Sequence, residues 1–244
     1  MTAINKAYAS GTSFGIDNDH KSGNLTILSQ AKSYAFAHYN DSDFTANGAN
    51  LGIMEMNAKA GGIFEAYLDS TGANIYVKNI TISLPYTSTS NAISTQPGGG
   101  IKVNGVSGDT NVARATSDTK ATGGIKGSGH VYTGNLYILV NGSDSSATAV
   151  VDGKKVDVGA VKIGLNYAQA NLSMTQNAYI MGDDTEGDET KGEGTVNADG
   201  SVQVLSKMNN AASTSKLGSN GGTNAGFVAS GNQWADANAG MASS

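Results

Sequence analysis

The chain has 244 residues, no cysteine and a formal net charge of −5, and only 14% of it is charged, against roughly 25% in an average soluble domain. These figures exclude a disulfide framework, thiolate chemistry and Cys-based zinc sites; Arg114, the single arginine among 15 basic residues, argues against nucleic acid as a partner. No run approaches the ~18 consecutive apolar residues of a membrane-spanning helix, and 33 Gly against 2 Pro favours turns with positive φ.

Residues 1–23 hold widely spaced apolar residues, Ile4, Tyr8, Phe14 and Ile16, and read as an extended N-terminal arm without a signal-peptide pattern. Gly11-Thr12-Ser13-Phe14-Gly15 matches the nucleophile-elbow pattern of hydrolases, but it lacks the buried strand before it and the helix after it that expose such a serine. Asp17-Asn18-Asp19-His20 lacks the further oxygen ligands of a calcium loop and reads as a turn capped by its own side chains. No two of His20, His38 and His130 fall at metal-ligand spacing.

Residues 24–206 read as the folded core. Leu25 and Ile27, then Tyr34, Phe36 and His38, alternate with small or polar residues as strands do. The densest apolar stretch runs from Ala49 to Tyr86, with Asp69-Ser70-Thr71-Gly72 as the expected turn of an antiparallel hairpin. Within it Ile75 and Val77 lie on one parity, while Ile80, Ile82 and Leu84 lie on the other. Because side chains alternate faces, that slip predicts a β-bulge near Lys78-Asn79 or a strand whose halves pack on different sheets. Residues 87–129, rich in Gly, Ser and Thr, read as a long loop holding one small hairpin at Asn104-Gly105.

Leu136–Val140 reads as a central strand buried on both faces. Asp152-Gly153 and Asp199-Gly200 read as tight hairpin turns, and a second parity slip falls at Ala160-Val161. The loop 182–194 gathers six of the 20 carboxylates; Asp183, Asp184, Glu186, Asp188 and Glu189 are weak calcium candidates, and no other cofactor is implied. Residues 207–244 form a low-complexity C-terminal segment whose few large apolar residues, among them Phe227, Val228 and Trp234, need a surface to dock on.

The expected fold is therefore all-β: an antiparallel, sandwich-like structure, jelly-roll or similar, with long Gly/Ser/Thr-rich loops and extended termini. In composition the chain resembles bacterial surface and secreted β-proteins such as fibre subunits and adhesins, and also phage structural proteins. That likeness implies a structural subunit of an extracellular assembly, secreted or at the cell surface, with a virion as the alternative setting. Its partners would be copies of itself, joined by strand addition through Ile4, Tyr8, Phe14 and Ile16 at one end and Phe227, Val228 and Trp234 at the other. The alternative is a carbohydrate-binding module that meets host or matrix glycans through some of the ten tyrosines. No catalytic residues are expected; Glu55 and Glu65, inside apolar runs, are the carboxylates nearest to a glycosidase pair.

Overall fold

The computed structural model describes the backbone of residues 3–11, 13–40, 49–96, 101–153, 156–180, 194–217, 224–225 and 228–243. Its strands are β1 (Ala3–Ser10), β2 (Ser22–Leu28), β3 (Ala31–Asn40), β4 (Ala49–Asp69), β5 (Asn74–Gln96), β6 (Ile101–Lys126), β7 (His130–Gly153), β8 (Val156–Ile180), β9 (Thr195–Ala198), β10 (Val202–Leu217), β11 (Asn224–Ala225) and β12 (Val228–Ser243). They make two sheets. The first runs β1-β4-β6-β8, with β11 and β12 both on β8; the second runs from β2 and β3 through β5 to β7, with β9 and β10 both on β7.

Every pair is parallel. Parallel neighbours in one sheet need a long crossover, and here the crossover is a strand of the other sheet: β4 leads to β5, β5 to β6, β6 to β7 and β7 to β8. The chain thus winds as a two-sheet coil, the topology of a parallel β-solenoid. One circuit separates Asn24 from Asn79 by 55 residues and Asn79 from Asn135 by 56. The last circuit, 66 residues from Asn135 to Ser201, is longer and contains the acidic stretch.

This overturns the antiparallel sandwich. The expected hairpin turns do not turn hairpins. At Asp69–Gly72 the Ala73 amide donates to the Ser70 carbonyl at 2.9 Å, but the flanking strands β4 and β5 lie in different sheets and face each other through side chains. Asn104-Gly105 lies inside β6, and Asp152-Gly153 ends β7 before the chain enters the other sheet. Asp199-Gly200 keeps the chain alongside β7: the Asp199 amide donates to the Thr133 carbonyl at 2.9 Å and Gly200 to Gly134 at 2.6 Å. The expected loop 87–129 is largely strand, shared between β5 and β6, and both termini carry strands, β1 and β12.

The core lies between the two sheets, filled from one side chain in two. On β5 the inward row is Ile75, Val77, Ile80, Ile82, Leu84 and Tyr86, all at most 2% exposed; on β7 it is Val131, Leu136, Ile138 and Val140. Phe64 and Leu68 on β4 and Ile125 on β6 complete this large-residue half, with the Phe64 and Tyr86 rings 5.9 Å apart. Tyr137 is 36% exposed and Leu139 half-buried, so β7 is central within its sheet but covered on one face only. The other half of the core is mainly small residues, Ala58, Ala60, Ala113, Ala115, Ser117, Ala168 and Ala170 in the first sheet and Ser88, Ser90, Ala92, Ser145, Ala147 and Ala149 in the second, with Met56 and Leu172 buried beside them.

The parity slip on β5 falls where the sequence places it. Pairing with β7 runs through Val77↔Thr133 and resumes at Asn79↔Asn135, and β2 shows the same interruption between Ser22↔Val77 and Asn24↔Asn79. The irregularity is stacked from coil to coil and held by an asparagine ladder. Asn79 Nδ2 donates to Asn24 Oδ1 at 2.7 Å, Asn135 Nδ2 to Asn79 Oδ1 at 2.7 Å, and the Ser201 amide to Asn135 Oδ1 at 2.9 Å. Further along, Asp144 (φ 48°) and Asn210 (φ 54°) take the left-handed conformation side by side, as residues of this type tolerate in a bulge, with Asn210 Nδ2 donating to Asp144 Oδ1 at 3.1 Å. Gly61 (φ 116°) is a steric necessity: a Cβ there would come within 1.8 Å of the Asp118 carbonyl oxygen. At the second slip, pairing of β6 with β8 passes from Asn104↔Gly159 to Val106↔Val161.

Candidate functional site

A coil of stacked strands ends, by construction, in two strand edges per sheet whose outward N–H and C=O groups lack a neighbour, and natural proteins blunt such edges with short strands, lysines or a covering segment. Here the edges are long. β12 presents Val228–Ser243 with Asp236 as its one charged residue; β10 presents Val202–Leu217 with Lys207 and Lys216. At the opposite end β2 carries no charge and β3 carries Lys32 and His38. The outward face of β3 bears Tyr34 (67% exposed) and Phe36 (53%), with ring centroids 6.5 Å apart, and His38 stacks on Phe36 at 5.7 Å.

The residues singled out from sequence divide between these ends and the outer faces. Ile4 pairs with Ile63 across β1 and β4 and is 66% exposed, and Tyr8 stacks on Tyr67 with centroids 5.3 Å apart. Phe14 forms a lone bridge to Ile75: its amide donates to the Asn74 carbonyl at 3.3 Å and its carbonyl accepts from the Tyr76 amide at 2.6 Å. Ile16 stands 80% exposed in the turn that follows. Val228 and Trp234 lie on β12, at the registers of Val161 and Tyr167. Phe227 and the calcium candidates Asp183, Asp184, Glu186, Asp188 and Glu189 lie outside the described residues.

Two chemical readings lose their geometric basis. Glu55 and Glu65 sit ten residues apart on one face of β4, roughly 33 Å at strand rise, far beyond the ~5–10 Å that a glycosidase pair spans. Each instead faces a cation: Glu55 pairs with Arg114, and Glu65 with Lys6 at 2.8 Å, a hydrogen bond that raises the Lys6 pKa. Ser13 Oγ accepts a hydrogen bond from the Asn74 amide at 3.3 Å, and among the described residues no helix follows it. Asp17 forms the expected capped turn, accepting from the Asp19 amide at 3.0 Å and from the His20 amide and ring Nδ1 at 2.8 Å; those bonds lower its pKa. Among the described residues no three His, Asp or Glu cluster at a metal-binding distance.

Four of the ten tyrosines stack in pairs from coil to coil. Tyr76 and Tyr132 lie 4.9 Å apart with planes 7° from parallel, as Tyr8 and Tyr67 do, and the Lys126 ammonium sits 4.0 Å from the Tyr67 ring centroid. No protein-family model, no curated protein and no solved structure matches the chain.

Sequence reasoning missed two residues at the coil ends, Leu28 on β2 and Leu205 on β10, each 51% exposed. Both stand out of parity with inward neighbours, Leu28 beside Ile27 and Leu205 beside Val204. That signal becomes readable only once the inward row is known.

Proposed function

We propose that the chain is a structural subunit that assembles with copies of itself through the open edges of its coil, outside the cell or in a particle. The observation that supports this most is the C-terminal edge strand β12, 16 residues long with a single charge, where a monomer would be expected to shorten or charge its edge. The low charge content and the absence of cysteine fit a surface built for packing against like surfaces. The terminal segments act in this reading as edges of the coil; as free arms they would have to leave β4 and β8, with which they pair.

Electron microscopy and light scattering across a concentration series test the proposal. It requires regular filaments or sheets; a strict monomer at every concentration contradicts it. The alternative of a glycan-binding module would draw on β3, where Tyr34 and Phe36 stand exposed side by side with ring centroids 6.5 Å apart; a glycan array without hits contradicts it.

A further inference from the structure

The self-assembly reading, on which this inference rests, leaves the joint undefined, and the registers define it. At the N-terminal end of the first sheet β1 covers only the second half of β4, with Ala3 on Gly62 and Ser10 on Asp69. Among the described residues no strand pairs with the outer side of Ala49–Gly61, a span closed at Gly61, whose amide donates to Ser33 Oγ at 2.8 Å and whose carbonyl accepts from it at 3.1 Å. At the C-terminal end β12 covers β8 from Val161 to Gln176. Tracing single columns through the sheet gives Ala49–Val106–Val161–Val228 at one limit and Gly61–Asp118–Ser173–Gly240 at the other. Val228–Gly240 at one end therefore lies on the columns that β1 leaves open at the other, whereas Met241–Ser243 lies on the columns of Ala3–Asn5 and has to leave them in a joint between copies.

We propose a head-to-tail lap joint: Val228–Gly240 of one copy adds in parallel to Ala49–Gly61 of the next. Three features of the molecule agree with it. First, both sheets require the same displacement. The first sheet repeats after β4, β6, β8 and β12; the second repeats after the layer of β2 and β3, then β5, β7 and β10. Four strand spacings correspond to roughly 19 Å along the coil. Second, the column Ala58–Ala115–Ala170–Ala237 is alanine throughout, so the next copy's Ala58 meets an alanine position. Third, Leu28–Ser83–Leu139–Leu205 is one column, so the joint brings the two exposed leucines at opposite ends of a copy against each other. A heterologous contact of this kind does not close on itself and yields an open filament.

The double variant Asn57→Cys/Asp236→Cys tests it in the full chain, which has no other cysteine. The two positions share the register column Asn57–Arg114–Gln169–Asp236. Within one copy they are three strand spacings apart, roughly 14 Å, and across the joint one spacing, roughly 4.8 Å, which suits a disulfide. Air oxidation should give a ladder of covalent multimers on a non-reducing gel. Single-cysteine variants should stop at dimers, and the offset pair Asn57→Cys/Gly240→Cys should stay uncrosslinked. Far-UV circular dichroism of each variant establishes that it is folded. Filaments in which the offset pair cross-links as well as the in-register pair, or in which neither does, would overturn the joint and leave the structural role standing. Strict monomers would overturn both.

Discussion

The two halves of the core do different work. In the large-residue half, Ile, Leu, Val, Phe and Tyr from facing strands interlock, and Tyr86 donates to Gln176 Oε1 across the sheets at 2.9 Å. In the small-residue half the sheets meet through Ala and Ser. Ser88 Oγ lies 2.7 Å from Ser117 Oγ, and Ser213 and Ser215 donate across the gap to the carbonyls of Ala170 and Ala168 at 2.8 and 2.6 Å. Hydrophobic burial scales with apolar area, so the first half carries most of the stabilisation. The second specifies how closely and in what register the sheets approach, which is also the property that the proposed joint extends from copy to copy.

Breaking the large half should therefore cost most. Phe64→Ala, at a site 1% exposed and packed on Tyr86, should destabilise the chain by about 3–5 kcal/mol in denaturant unfolding. The small half should resist enlargement. Ala115→Leu, fully buried between Ala58 and Ala170, should cost about 1–3 kcal/mol by overpacking, although a leucine in the large half would be at home.

Alkali should attack the large half first. Burial pushes the Tyr86 hydroxyl up to about 12 from 10.0. The folded state holds this proton while the unfolded state gives it up, so stability should be unaffected below pH ~10 and fall as pH rises from there towards ~12. Tyr86→Phe should remove that alkaline component of the pH–stability curve, at the cost of the bond to Gln176. The smallest effect belongs to Ser90, whose buried Oγ has no hydrogen-bond partner among the described residues. Ser90→Ala removes a desolvated hydroxyl and should leave the midpoint within ~0.5 kcal/mol or raise it, whereas an unsatisfied polar group costs about 1–3 kcal/mol.

How much of this was legible follows from what the sequence encodes. Parity was readable: Ile75 and Val77 against Ile80, Ile82 and Leu84 locate the slip at Lys78-Asn79, although the register with β7 is unchanged across it, because burial on one face leaves an alternating trace whatever the strand direction. Direction was not. One-sided sheets with Asp-Gly and Asn-Gly turns read as antiparallel, but Ser70–Ala73 carries the chain to the facing sheet instead of the neighbouring strand. The repeat stayed hidden because columns conserve inwardness and not residue type: Phe64 stacks on Ala121 and Gln176, Met56 on Ala113 and Ala168. The strand Val228–Ser243 escaped because its alternating positions hold alanine, as Ala237 does in the all-alanine column Ala58–Ala115–Ala170, and so leave no trace of large apolar residues. At the coil ends Ile4 and Tyr8 were found as isolated apolar residues, whereas Leu28 and Leu205 were hidden inside apolar strands.

The parallel register itself is the claim on which the rest depends, and paired spin labels on the outer face of the first sheet test it most directly. Thr116 pairs with Asn171 and Thr122 with Asn177, both on β6 and β8. Dipolar broadening in both double-labelled variants, Thr116→Cys/Asn171→Cys and Thr122→Cys/Asn177→Cys, is the predicted result, since each pair spans one strand spacing of about 4.8 Å. An antiparallel arrangement that brings one pair together separates the other by roughly 40 Å; broadening in one variant and none in the other would contradict the coil.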